Sequence, residues 1–125
     1  MAIISSYKDL SVWQKSVALT IQVYEITKRF PREELYGLTN QMRRAASSIP
    51  ANIAEGSTRG YLKEYISFLS IAYGSGAELE TFLIIARELQ YIVQNEYEKV
   101  AEELNTIMRM LNGLIRKLKD KRDAP

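Results

Sequence analysis

Gln41–Gly56 reads QMRRAASSIPANIAEG, a helix-forming run with apolar residues on one side and small or polar ones on the other. Extended back through Leu35 and Leu38, its core stripe continues as Met42, Ala45, Ile49 and Ile53, a spacing that fits a helix and no strand. The spacing predicts a helix over about 35–55. Pro50 removes one backbone donor inside it, and a kink is expected near Ala46–Pro50. Gly56 is expected to end the helix in the left-handed conformation.

Three further helices fit around this one, over about 11–30, 61–91 and 95–121. The first carries two apolar rows, Leu10, Trp13, Val17, Ile21 and Tyr24 on one side and Val12, Leu19, Val23, Ile26 and Phe30 on its neighbour. A helix in a lone bundle needs one apolar stripe about 100° wide. A second packing surface accounts for the surplus and implies an oligomer; a deeply buried helix in a monomer is the alternative. The third helix holds Gly74 and Gly76, each costing about 1 kcal/mol against alanine, and close approach of the small face Ser47, Ala51 and Ala54 is the expected reason. A phosphate-cradling loop is disfavoured because no Gly-Lys-Ser/Thr follows. The fourth helix opens on Glu96, Glu98, Glu102 and Glu103 and closes on Arg116, Lys117, Lys119, Lys121 and Arg122, in keeping with the helix dipole. Short connectors imply antiparallel neighbours. The expected fold is all-α, an up-down-up-down antiparallel four-helix bundle forming one domain over 1–125.

The 125 residues include neither histidine nor cysteine. That removes the usual general base near neutral pH, the usual zinc ligand, disulfides, and every Ser-His or Cys-His pair. No metal, cofactor or catalytic residue is assigned. Glu78 and Glu80 lie on different sides of their helix, leaving a carboxylate magnesium site as a remote alternative. The opening MAIISSYKDL lacks the basic flank of a signal peptide, and the uncharged Tyr65–Ala77 is too short to cross a bilayer, so a cytoplasmic protein without membrane association is expected.

The formal net charge is only +2, but its distribution is uneven. Arg43 and Arg44 have two readings: an ion pair with Glu55, Glu78 or a neighbouring subunit, or contact with phosphate through the guanidinium fork. Asn52 and Glu55, with Glu78, read as a hydrogen-bonded network across helices. Arg59 and Lys63 flank the start of the third helix, where free backbone donors favour anions. With Arg116, Lys117, Lys119, Lys121 and Arg122 they form two basic regions, expected at opposite ends of the bundle. A solvated charged surface is the plain alternative.

QMRRAASSIPANIAEG and KEYISFLSIAYGSGAELET, with YKDLSVWQKS and FPREELYGLTNQ, resemble the four-helix bundle family named for proteins encoded in intervening sequences of bacterial 23S rRNA genes. The likeness covers nearly the whole chain. It implies the up-down bundle and a ring-like homopentamer. It also implies a relationship to the accessory variability protein of diversity-generating retroelements, a basic pentamer that works with a reverse transcriptase and RNA. By position, Arg43 and Arg44 are the arginines of the RRAA motif, Asn52 and Glu55 the polar members of PANIAEG, and Arg59 the basic turn. Gly60 and Tyr61 depart from the pattern, standing where relatives often carry a basic residue and a serine cap. Structured RNA is therefore one expected partner besides the protein itself. A partner protein met through exposed tyrosines is the other.

Overall fold

The computed structural model describes residues 6–125. Among these there is no strand: a 3-10 turn at Tyr7–Asp9 leads into α1 (Ser11–Thr27), a second at Arg32–Glu34 into α2 (Leu38–Thr58), then α3 (Leu62–Glu88) and α4 (Gln94–Arg122). Each helix packs on its sequence neighbour, and α1 also packs on α4, which closes an up-down-up-down four-helix bundle. Its core is one cluster, with Leu19 and Val23 from α1, Met42, Ile49 and Ile53 from α2, Leu69, Leu79 and Leu83 from α3, and Val100, Leu104 and Leu111 from α4. On α1 the row Val12, Leu19, Val23 and Ile26 is buried. The neighbouring row divides: Leu10 and Trp13 pack half-buried against the core, while Ile21 is 59% and Tyr24 42% exposed.

The helix ends differ from those the sequence pattern suggests, each for a local reason. α1 stops at Thr27, where Lys28, Arg29 and Phe30 turn on hydrogen bonds to Tyr24, Ile26 and Thr27. Phe30 is buried all the same, its ring 5.3 Å from that of Tyr91. α2 begins at Leu38 because Glu34 folds forward: its Oε1 accepts from the Leu38 amide (3.2 Å), supplying the cap that Gly37 lacks. Glu34 Oε2 accepts from the Tyr91 hydroxyl (3.0 Å), and this carboxylate neighbour holds the phenol above its ordinary pKa.

Gly56 does not end α2. The helix continues to Thr58, and Gly60, with φ +83°, is the left-handed residue of the turn. Gly56 is instead a point of close approach by α3; a Cβ there would lie 2.7 Å from Phe68 Cβ and 3.3 Å from the Tyr65 carbonyl. Pro50 sits inside α2 and leaves the Ala46 carbonyl without its helical donor. The Thr20 hydroxyl of α1 reaches that oxygen at 3.1 Å while also bonding Ser16 O at 2.8 Å. Thr20→Val is expected to cost about 1–2 kcal/mol in denaturant unfolding. In a Pro50→Ala background, where the residue 50 amide regains Ala46, that cost shrinks to a few tenths.

The two glycines of α3 have separate explanations. Gly76 packs against Met108 of α4, whose Sδ a Cβ would overlap, rather than against Ser47, Ala51 and Ala54 of α2. Gly74 faces open space. At the far end of α3 the Tyr91 amide bonds Ala86 O and the Gln90 amide bonds Arg87 O, both at 2.9 Å, a left-handed cap with Gln90 at φ 64°. Glycine is free of the Cβ clash that this conformation imposes on glutamine. Gln90→Gly is expected to raise stability by about 1 kcal/mol, seen as a higher denaturation midpoint with an unchanged slope. By length and composition α3 could cross a membrane; in this fold it packs between α2 and α4, with much of its outward face uncovered.

Candidate nucleic-acid interface

Because successive helices reverse direction, α4 finishes where α2 finishes and α3 starts. Leu118 and Lys121 line one hollow with Gly56, Ser57, Gly60, Tyr61, Leu62 and Tyr65. The Arg59–Lys63 turn and the terminal basic cluster therefore share an end of the bundle, and the expectation that they lie at opposite ends is corrected. Burial in this seam pushes the Tyr65 phenol above its usual range, with the Ser57 hydroxyl pulling it back.

The cations at this end are not equivalent. Arg59 is engaged by Glu55 (3.1 Å) and Glu64 (3.6 Å), with its guanidinium 5.0 Å from the centre of the Phe68 ring. Arg122 is engaged by Asp123 through bonds of 2.9 and 3.4 Å, which hold the Asp123 carboxyl below its usual range. Lys63, Arg116, Lys117, Lys119 and Lys121 are exposed and, among the described residues, form no ion pair. Lys63 stands in the first turn of α3, where Tyr61 supplies no side-chain cap to the first backbone donors. Together they form a positive end able to meet phosphate at several points.

Arg43 lies near the other end and has a structural task. Its Nε donates to Thr27 Oγ1 (2.8 Å), its Nη2 to Tyr24 O (3.4 Å), and its guanidinium covers the Tyr24 ring at 4.7 Å. It thus brings a cation to the negative end of α1 and pairs with neither Glu55 nor Glu78. Arg44 is exposed beside Gln41, Ala45, Ser48, Ser75 and Glu78 and makes no ion pair among the described residues.

Asn52 donates to Ser48 O (2.8 Å) and Ser48 Oγ (2.9 Å), and Ser48 Oγ meets Ser75 Oγ at 2.8 Å across the α2–α3 seam. Glu55 stands outside this network, pairing with Arg59 along its own helix, and Glu78 borders the hollow beside it. Ser48 and Ser75 are the members that sequence reading missed. Ser75 follows Ala72 and precedes Leu79 at core spacing, a placement that marks a buried hydroxyl in need of a partner. Among the described residues no group of three or more Asp or Glu side chains is placed to hold a metal.

A family profile described as 23S rRNA-intervening sequence protein matches residues 8–113. Among solved structures, a protein of unknown function from the S23 ribosomal protein family of Bacteroides thetaiotaomicron superposes with a TM-score of 0.78 at 26% identity, covering 83% of this chain and 97% of that one. No protein of curated function matches. With the profile spanning nearly all of the bundle and the solved relative sharing its fold, the chain belongs to the 23S rRNA-intervening sequence protein family.

Proposed function

We propose that this protein is a non-enzymatic, self-assembling bundle of the cytoplasm that binds structured RNA through the basic end formed by α2, α3 and α4. The observation that supports the reading is that the start of α3 and the end of α4 border one hollow, through Leu62 and Lys121, with Lys63 and the Arg116–Lys121 run on those two elements lacking carboxylate partners among the described residues. Cations already held by Glu or Asp exchange one partner for another on binding phosphate; free ones only release counterions. The exposed Ile21 and Tyr24 of α1 support self-assembly, and the family resemblance makes a ring of five the form to expect. Such a ring would set several basic ends side by side.

Fluorescence anisotropy with a labelled RNA hairpin, repeated between about 50 and 200 mM salt, tests the RNA reading. It requires log K to fall linearly with log salt at a slope of at least about −4, the value for four or more phosphates neutralised. Binding that ignores salt removes it. A scaffold for a partner protein such as a reverse transcriptase, without direct RNA contact, is the second reading. Tyr36 at 91% and Tyr61 at 70% exposure favour it, since such rings are common anchors of protein interfaces. Salt-insensitive capture of a protein with no retained RNA is its signature.

A further inference from the structure

Where α1 hands over to α2, at the end of the bundle away from the basic cluster, the chain borders a hollow of about 330 Å³. That is near the lower end of the roughly 300–1,000 Å³ range of small-molecule sites. Its wall carries Lys28, Arg32 and Arg43, the threonines Thr27 and Thr39, and no carboxylate. The remainder is apolar: Phe30, Pro31 and Leu35, the last 46% exposed although it continues the core stripe of α2.

Acceptors and donors are unequally used at this corner. The last carbonyls of α1 are met, Tyr24 O by the Lys28 amide, Ile26 O by the Arg29 amide and Thr27 O by the Phe30 amide. Thr27 Oγ1 donates to Val23 O and accepts from Arg43 Nε, both at 2.8 Å. Glu34 already receives the Leu38 amide and the Tyr91 hydroxyl. What is left over can donate. Thr39 lines the hollow at 3% exposure, and its hydroxyl bonds no described residue. Nor is that hydroxyl sealed in the core: among the described residues the one sealed side-chain polar atom without a partner is Oε1 of Glu96. The Thr39 and Asn40 amides, in the first turn of α2, find no carbonyl among the described residues.

The charge here is also only partly met. Lys28 is held by Glu25 at 3.1 Å. Arg32 forms no ion pair among the described residues, and Arg43 spends Nε and Nη2 but keeps Nη1. Two guanidinium groups, a hydroxyl and a helix start offer more than the two oxygens and single charge of a carboxylate can use. They match the three oxygens and charge of about −1.5 to −2 of a phosphate monoester.

We infer that this hollow binds a phosphate monoester with an apolar or aromatic ester group. The phosphate lies among Arg32, Arg43 Nη1 and the Thr39 hydroxyl, and the ester group covers Phe30, Pro31 and Leu35. A small phosphate ester and the 5′-phosphate of a nucleic-acid end share this chemistry. The site is separate from the basic end where α2, α3 and α4 meet, and it stands whether or not that end binds RNA.

Isothermal titration calorimetry of the full chain with phenyl phosphate, benzoate and inorganic phosphate tests the assignment. Phenyl phosphate is expected to bind about tenfold more tightly than benzoate, which keeps the ring with one charge, and than inorganic phosphate, which lacks the ring. Thr39→Val keeps the branched shape without the hydroxyl, and Arg32→Gln removes the exposed guanidinium. Each is expected to weaken phenyl phosphate about tenfold, whereas Lys63→Gln with Lys121→Gln, at the other end, leaves it unchanged. Circular dichroism checks folding, and Arg32→Gln keeps the test open should Thr39→Val unfold. Anisotropy with an RNA hairpin bearing a 5′-phosphate or a 5′-hydroxyl separates the sources. A preference for the phosphorylated end that Arg32→Gln abolishes assigns the site to nucleic-acid ends; phenyl phosphate binding without that preference assigns it to small esters. A wild type that shows neither overturns the site, as does phenyl phosphate binding that both variants leave unchanged. Benzoate bound as tightly as phenyl phosphate overturns the phosphate assignment.

Discussion

Changing Lys63, Arg116, Lys119 and Lys121 together to glutamine is expected to weaken RNA binding about 10³-fold at ~0.1 M salt and to make the salt slope shallower by about 3–4. Each phosphate neutralised contributes close to one unit of slope, which near 0.1 M amounts to almost a factor of ten in affinity. The four side chains come from α3 and from the last turns of α4, so only a ligand spanning both elements loses all four contacts at once. None has a carboxylate partner among the described residues, so glutamine there orphans no acid, and the unfolding midpoint is expected to stay within about 0.5 kcal/mol of wild type. Arg59→Gln provides the contrast. It strips the partner from Glu55 and Glu64 while releasing little phosphate contact, so it is expected to change affinity less than any one of the four. Anisotropy titrations at several salt concentrations separate the two cases. Equal losses from Arg59 and Lys63 would mean that the intramolecular pairs open on binding and that free charge is not what selects the site.

How far the sequence reveals this arrangement depends on the distance over which each feature is decided. The four helices come from periodicity that repeats within a few residues, and so does the acidic start and basic finish of α4. Features decided between helices are hidden. Arg43 is bound to Thr27, sixteen residues away, and Thr20 serves a carbonyl freed by Pro50 at a separation of twenty-six; no local pattern connects them. Gly56 shows the limit most plainly, because the same residue type both ends helices and permits close crossings. Only the position of α3 tells which applies. The basic end was legible residue by residue, but joining its halves required following helix direction around the whole bundle. The Asn52 network was visible at one member and invisible at the serines, which have no charge to draw attention.

Gly56→Ala is expected to lower stability by about 1–2 kcal/mol, although alanine is the better helix former by about 1 kcal/mol. The added Cβ would sit 2.7 Å from Phe68 Cβ, 3.1 Å from Tyr65 Cδ1 and 3.3 Å from the Tyr65 carbonyl. Two of these atoms are fixed to the α3 backbone, so relief requires α2 and α3 to separate there, loosening the core to which Ile53 and Leu69 of these helices belong. Gly76→Ala differs in kind: the obstacle is the outer part of the flexible Met108 side chain, which can swing away, so the packing loss roughly cancels the helix gain. Gly74→Ala meets nothing within 4 Å and should keep the whole gain of about 1 kcal/mol. Three identical substitutions thus divide into loss, near-balance and gain. Measured by urea unfolding at one fixed protein concentration, that order tests the α2–α3 crossing directly. A Gly56→Ala variant more stable than its parent would show that the helices are not in contact there, and Gly56 would then have no packing role in the bundle.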